Sequence, residues 1–461
     1  MTALALPARV PPPVGVAALL LATALLVATA PGLALAVAVA AFLAGIGATL
    51  GVTCTSTALV ALYLVPLFAF GRSFSRIGIP PLQLPEAILI TALAVSAPKW
   101  WPAYKTLVPT WFRVSTLSFA GLALVSVVRG AVAGYPAASR GFVLLLYPLV
   151  SGPFAAWIAV HRQRWDRILL AAVASAPFGL VLLSAVSSQS VVAAAYALYL
   201  SVLVGRAMTA DRPWVRQLLV ACSMIGVVAL AATGRRGPLL AVAAACLVGL
   251  IALTGYRPPR LPKLVATSSF VMVSVLCVVV VGGVDASNLP GVGSVVERTR
   301  RGLTDPGSPE EANVAFRFAV WKYALTTVTS ESPLLGMGFG RPFSLRFRER
   351  DLARDEFSAA HNSYVGVTYA AGFPAGLLFI GVFLGAASVC LRKPRSDRYR
   401  PVQLAWLASA ALITLTNVAA ETTYIGGPLW LFLGWLTLRQ GAGDSPGPSD
   451  STRPDLGRCT R

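Results

Sequence analysis

The sequence predicts an all-α, polytopic integral membrane protein with 12–14 transmembrane helices and one large outer loop containing short helices. Three observations carry this. First, 56% of the 461 residues are apolar and only 12% are charged, with a mean hydropathy of +0.72. A soluble domain needs roughly a quarter of its residues charged to cover its surface. Second, the apolar residues gather into about 14 runs, each near the length that crosses a bilayer as a helix. Third, the basic residues alternate between rich and poor connections along the chain. The formal charge of +20 would suggest a nucleic-acid partner in a soluble protein, and the hydropathy excludes that reading.

The expected spans are 14–30, 33–50, 52–70, 82–98, 107–128, 141–160, 168–186, 190–205, 217–233, 238–254, 264–284, 362–391, 402–419 and 424–438. Fusion of the second with the third, or of the seventh with the eighth, lowers the count to 12. The first span closes on Ala28-Thr29-Ala30, similar to a signal peptide. Another apolar run follows at once, so an uncleaved helix is expected. Five of the six cysteines lie in or at the edge of apolar runs and read as buried free thiols.

Orientation follows from the loops. Seventeen Lys and Arg fall in alternate connections: Lys99, Lys105, Arg113; Arg162, Arg164, Arg167; Arg206, Arg212, Arg216; Arg257, Arg260, Lys263; and Arg392, Lys393, Arg395, Arg398, Arg400. That side is assigned to the cytoplasm. The intervening short connections hold six: Arg72, Arg76, Arg129, Arg140, Arg235 and Arg236. Four regions result: a helix bundle over 1–284, a large periplasmic or extracellular loop over 285–361, further transmembrane helices over 362–438, and a disordered cytoplasmic tail over 439–461. The outer loop carries ten basic and ten acidic residues up to position 360, whereas residues 1–284 carry 19 basic and three acidic.

Within that loop, 312–329 reads as a helix. Phe316, Val320, Tyr323 and Thr327 share a face, which Phe318, Trp321 and Leu325 broaden. A glycine-punctuated turn, Ser332-Pro333-Leu334-Leu335-Gly336-Met337-Gly338-Phe339-Gly340, follows. Asp351 and Asp355 are spaced to share a helix face, but Arg348, Arg350 and Arg354 interleave with them and favour solvated salt bridges over a metal pair.

The outer arginines go against the orientation rule. Arg235 and Arg236 stand in Ala232-Thr233-Gly234-Arg235-Arg236-Gly237, between two spans joined by a few residues. Placing Arg near the membrane costs about a few kcal/mol without a partner. A pyrophosphate suits paired, forked guanidiniums; snorkelling to lipid headgroups is the alternative. His361, at the outer mouth of a span, either accepts a proton near neutral pH or hydrogen-bonds a loop carbonyl. His161 sits in a basic inner loop and reads as structural.

Three segments together resemble the O-antigen ligase and O-antigen polymerase superfamily, polytopic enzymes that handle polyprenyl-diphosphate-linked glycans. Thr233-Gly234-Arg235-Arg236-Gly237-Pro238-Leu239-Leu240 is similar to the family's Thr-x-Ser-Arg-Gly run, with Arg236 in the place of the family arginine. Arg317-Phe318-Ala319-Val320-Trp321-Lys322-Tyr323-Ala324 and the Ser332–Gly340 turn resemble its Arg-x-x-x-Trp-x-x-Ala helix and Pro-Leu-x-Gly-x-Gly-x-Gly turn. Ala360-His361-Asn362-Ser363-Tyr364, leading to Gly372 and Gly376, resembles its His-Asn-x-Tyr/Phe helix start, with the second glycine displaced by one residue.

The resemblance implies a membrane glycosyltransferase of cell-envelope polysaccharide biosynthesis. Its donor would be a glycan on undecaprenyl diphosphate, and its acceptor a hydroxyl of a glycan, lipid or protein. It implies His361, Arg236 and Arg317 as catalytic residues. Arg235, Asn362, Trp321, Gly336, Gly338 and Arg341 would bind substrate, with the Trp321 helix as a lid. No metal and no cofactor are expected. The location implied is the bacterial cytoplasmic membrane, with the active site on the periplasmic or extracellular face. A transporter or flippase of lipid-linked glycan fits the spans as well. Against it, the unusual residues gather on one face and no inverted repeat is visible.

Overall fold

The chain is described from a computed structural model over residues 51–79, 82–135, 137–186, 191–233, 235–253, 309–347, 350–351, 359–395, 397, 399–417, 419–420 and 422–438. The spans expected at 14–30, 33–50 and 264–284, and the tail, lie outside these residues.

The protein is an all-α polytopic membrane protein. Fourteen α-helices occur among the described residues. They are α1 (Val52–Phe70), the short α2 (Arg72–Ser75), α3 (Leu84–Val95), α4 (Ala97–Leu107), α5 (Thr110–Val132), α6 (Phe142–Val160), α7 (Arg162–Val186), α8 (Val191–Thr209), α9 (Pro213–Ala232), α10 (Arg236–Leu253), α11 (Pro309–Glu331), α12 (Ser363–Arg392), α13 (Arg400–Thr416) and α14 (Thr423–Thr437). Six are long and apolar enough to cross a membrane: α1, α5, α6, α7, α9 and α12. Shorter apolar helices lie at Leu84–Val95, Ala193–Thr209 and Gly237–Leu253. Two tiny antiparallel pairs, β1 (Gly78–Ile79) with β2 (Leu82–Gln83) and β3 (Arg346–Phe347) with β4 (Arg350–Asp351), are the strands among the described residues. Asp351 is therefore in a strand pair and not on a helix face.

One expected span is divided. The helix from Leu84 stops at Val95, and α4 starts at Ala97 with Pro98 in its first turn, where a missing N–H costs nothing. The connection expected as a basic loop is thus a helix. Trp101 stacks on Tyr104 at 5.6 Å, and Lys105 lies 5.2 Å from the Trp101 ring. Aromatic rings with a cation beside them suit a headgroup interface.

Helices α10 and α13 pack along one another, as do α1 and α7, α6 and α14, and α5 and α12. Aromatic contacts fill the centre: Phe119 lies 5.0 Å from Trp430, and Trp406 stacks on Phe432 at 5.4 Å. Cys222, Cys246 and Cys390 are buried free thiols, as their apolar settings predict.

The break in α12 organises the end of the bundle where the turn after α11 docks. Gly372 has φ 87° and ψ 172°, outside the helical region, and Pro374 follows. Proline has no N–H, so the carbonyl of Ala370 loses its normal helical donor. Two other groups satisfy it: the Gly338 N–H at 3.0 Å and the Ser126 hydroxyl at 2.8 Å. The Met337 N–H donates to Tyr369 at 2.8 Å, and the Phe373 N–H donates to Pro333 at 2.9 Å. Irregular backbone is tolerated inside a bundle only when its polar groups find partners in this way. The turn after α11 is thereby docked between α5 and α12.

Candidate functional site

The site forms where α10 begins, α11 crosses, α12 begins and α13 ends. α11 lies on α12 through Val320, Ala324 and Val328, spaced every four residues and all buried. Phe316, Trp321 and Tyr323 pack around this stripe. Phe318 and Leu325 do not broaden it as the sequence suggested, being 61% and 38% exposed.

The start of α12 is held from several sides. The Asn362 carbonyl oxygen caps the helix, accepting the N–H groups of Tyr364 at 3.0 Å and Val365 at 3.2 Å. The Ser363 hydroxyl donates to the Asn417 carbonyl at 3.0 Å and accepts the N–H groups of Ala419 and Ala420. The Thr414 hydroxyl donates to the Tyr364 hydroxyl at 2.9 Å. The Trp321 indole donates to the carbonyl of Ala360 at 2.7 Å.

Between these anchors stands His361 with φ 52°, the one non-glycine residue of left-handed backbone among the described residues. Such a conformation costs about 1–3 kcal/mol and persists where the surroundings over-determine it. Strain of this kind clusters at functional sites.

Arg317 reaches from α11 to the end of α13, donating to the Thr416 carbonyl at 3.2 Å. The first turn of α10 meets the same residue: a Cβ on Gly237 would lie 3.3 Å from the Thr416 hydroxyl oxygen. Arg236 opens α10, so its backbone sits beside this junction, at a helix end whose N–H groups favour anions. Its side chain lies outside the described residues. Burial, and after it the charge of Arg235, pulls the Arg317 guanidinium below its ordinary range. Burial, and after it the charge of Arg317, pulls the His361 imidazole below its ordinary value. The structure therefore brings Arg235, Arg317 and His361 into one electrostatic neighbourhood, with a neutral imidazole favoured at pH 7. Among the described residues, no three His, Cys, Asp or Glu come together. The donors on offer are guanidinium, imidazole and backbone N–H groups.

Five expected substrate contacts have partners within the protein. Gly336 and Gly338 have φ of 65° and 88°, but what approaches them is protein. A Cβ on Gly336 would fall 2.5 Å from the Ala370 carbonyl, and one on Gly338 would fall 3.2 Å from the Gly130 nitrogen. They let the turn seat on α5 and α12. Arg341 pairs with Glu331 at 3.0 Å, which joins the turn to the end of α11. The Asn362 carbonyl oxygen is occupied by the cap, and the residue is 4% exposed. Trp321 positions the backbone before His361 through its indole.

Arg129, expected from the sequence on the outer side, clamps the turn: its guanidinium donates to the carbonyls of Gly336 at 2.6 Å and Leu335 at 3.2 Å. His161 is buried, stacks on Trp157 at 4.8 Å and contacts the Trp157 carbonyl at 3.0 Å, in keeping with a structural role. Thr416 and Asn417 were not singled out in the sequence. The signal was present in Thr414-Leu415-Thr416-Asn417, a polar run ending an apolar span.

Residues 221–380 match the O-antigen ligase family model. This stretch covers about a third of the chain and contains all three segments that carry the resemblance. It holds Arg235, Arg236, Arg317 and His361 in one domain. An O-antigen ligase domain implies lipid-linked glycan transfer in general, with a glycan donor and an acceptor as partners. No curated protein matches the chain significantly.

Proposed function

We propose that the chain transfers or polymerises glycan from an undecaprenyl-diphosphate-linked donor onto an acceptor hydroxyl. The reaction would take place at the outer face of the bacterial cytoplasmic membrane. The observation that supports this reading best is the convergence of Arg235, Arg317 and a strained, neutral His361 at one end of the bundle.

In this reading the four sequence regions keep their assignment, with 285–361 on the outer side. The prenyl chain lies in lipid against the bundle. Arg235, Arg236 and Arg317 hold the diphosphate, and the repulsion among them is offset when the anion binds. The acceptor oxygen attacks the anomeric carbon from the face opposite the diphosphate, with inversion. The new C–O bond forms as the bond from that carbon to the diphosphate oxygen breaks. The diphosphate leaves with the electron pair, and its growing charge is met by the guanidiniums. His361 accepts the hydroxyl proton, which requires the neutral imidazole that burial and Arg317 favour. Diphosphate is already a good leaving group, so positioning and electrostatics carry the chemistry without a metal.

The test uses purified protein and a lipid-diphosphate-linked glycan donor with defined acceptors. His361→Ala and Arg317→Ala should each lower transfer by at least about 10²-fold, the range of a lost acid–base or electrostatic group. His161→Ala should transfer normally. Full activity in the His361 variant would remove its role. Donor crossing liposomes without product would favour a transporter instead.

A further inference from the structure

A second built cluster lies at the opposite end of the bundle. α12 carries the chain from His361 at one end to Lys393 at the other. There the start of α7, the last turn of α8 and the connection from α12 to α13 meet around Tyr399. The guanidinium of Arg162 lies 5.7 Å from the Tyr399 ring centre and that of Arg206 lies 5.6 Å from it. Two cations share one aromatic ring, which partly offsets their mutual repulsion. The Tyr399 hydroxyl donates to the Asp166 carboxylate, and its N–H donates to Asp397 at 2.9 Å. Lys393 donates to the Gln403 side-chain oxygen at 2.8 Å. Arg400 opens α13 beside them.

Four cations (Arg162, Arg206, Lys393, Arg400) thus face two carboxylates, Asp166 and Asp397. The Nε–H groups of Arg206 and Arg400 are buried with no acceptor among the described residues. Leaving a buried donor without an acceptor costs about 1–3 kcal/mol, more when the group is charged. Basic loops need only exposed charges to orient a helix, so orientation alone does not account for two guanidiniums on one ring or for the buried Nε–H groups of Arg206 and Arg400.

We propose that this cluster is a binding site for the phosphate headgroup of an anionic phospholipid, on the face that the basic loops assign to the cytoplasm. The excess of two positive charges suits a headgroup bearing two phosphates better than one bearing a single phosphate. Basic pockets between transmembrane helices on the cytoplasmic side bind such headgroups. Burial, with Arg162 adding to it, holds the Lys393 ammonium below its ordinary range, and a bound phosphate would oppose that shift. The site is separate from the transfer site and does not depend on the reaction proposed there.

The experiment is lipid titration of the full-length protein in detergent, read by native mass spectrometry and by thermal unfolding. Cardiolipin should be retained at about tenfold lower concentration than phosphatidylcholine and should raise the unfolding midpoint, with phosphatidylglycerol between them. In Arg206→Gln/Arg400→Gln the preference should vanish. Arg395→Gln, an exposed arginine of the same connection, should keep it. Equal retention of cardiolipin and phosphatidylcholine by the wild type would overturn the proposal, and that comparison decides even if the double variant fails to fold. Equal stabilisation by inorganic phosphate alone would overturn the lipid assignment.

Discussion

Trp321→Phe separates positioning from packing at the site. The substitution keeps an aromatic ring against the α11–α12 contact and removes only the indole donor. In the native protein that donor makes a 2.7 Å bond to the Ala360 carbonyl, and Ala360 is 2% exposed. Water cannot readily replace the lost partner, so the carbonyl bears a cost of about 1–3 kcal/mol. Ala360 directly precedes His361, whose left-handed backbone costs about 1–3 kcal/mol. Relaxing the Ala360–His361 peptide relieves both the unpaired carbonyl and the strain, and it moves the imidazole. If the cost falls on the transition state alone, transfer slows by about 5- to 150-fold. The assay is initial-rate transfer at saturating and limiting donor. The loss should appear in kcat with little change in the donor KM, because Arg317 and Arg235 are untouched. Wild-type kcat in Trp321→Phe, with loss appearing only in Trp321→Ala, would refute the argument and leave the residue as packing.

Further outcomes follow from the geometry. The pH–rate profile should hold from neutral pH upward and fall on acidification, through a value below the ordinary histidine pKa of about 6.5. Arg317→Gln should move that limb up, since it removes one of the two causes of the shift; an unmoved limb would contradict the coupling. The sign for stability is the same: below about 6.5 the unfolded chain takes up a proton that folded His361 resists, so the fold weakens as pH falls. Gly336→Ala combines a backbone at φ 65°, costing about 1–2 kcal/mol, with a Cβ 2.5 Å from the Ala370 carbonyl, costing about 1–3 more. Gly381→Ala meets nothing within 4 Å in mid-helix and should stabilise by about 0.5–1 kcal/mol. Thermal unfolding in detergent should rank the pair, and the reverse order would refute the docking of the turn.

The sequence carried the helices because hydropathy and membrane thickness leave few choices for an apolar run. It did not carry α4, where Lys99 and Lys105 looked like a loop and Trp100, Trp101 and Tyr104 make an interfacial helix. The residue types of the site were legible: arginines against the orientation rule, and a histidine at a helix mouth. Their partners were not. Gly336 and Gly338 announced a close approach, but glycine does not say what approaches: the structure sets Gly336 against the broken part of α12 and Gly338 against α5 at Gly130. Asn362 was expected as a substrate contact from the resemblance; that its side-chain oxygen also caps α12 became visible only in the backbone geometry. Phe318 and Leu325 shared the apolar face of α11 on a helical wheel, but contact every four residues along Val320, Ala324 and Val328 leaves them outside.

The segment 360–364 shows how a strained histidine is held in a membrane bundle. The left-handed backbone of His361 costs about 1–3 kcal/mol. Against it stand the Asn362 cap, about 1 kcal/mol, and the Trp321–Ala360 hydrogen bond, about 1 kcal/mol more. The two sides are comparable, so neither contact alone suffices. Ser363 then ties the same residues to Asn417, Ala419 and Ala420, after the end of α13. The supports come from α11, from α12 itself and from beyond α13, segments far apart in the chain. Arg317 joins two of the same parts, since it leaves α11 and donates to Thr416. A movement of α11 would therefore withdraw the Trp321 bond and the Arg317 charge together. The orientation of the imidazole and the electrostatics that keep it neutral thus depend on one helix contact, the buried stripe of Val320, Ala324 and Val328 on α12.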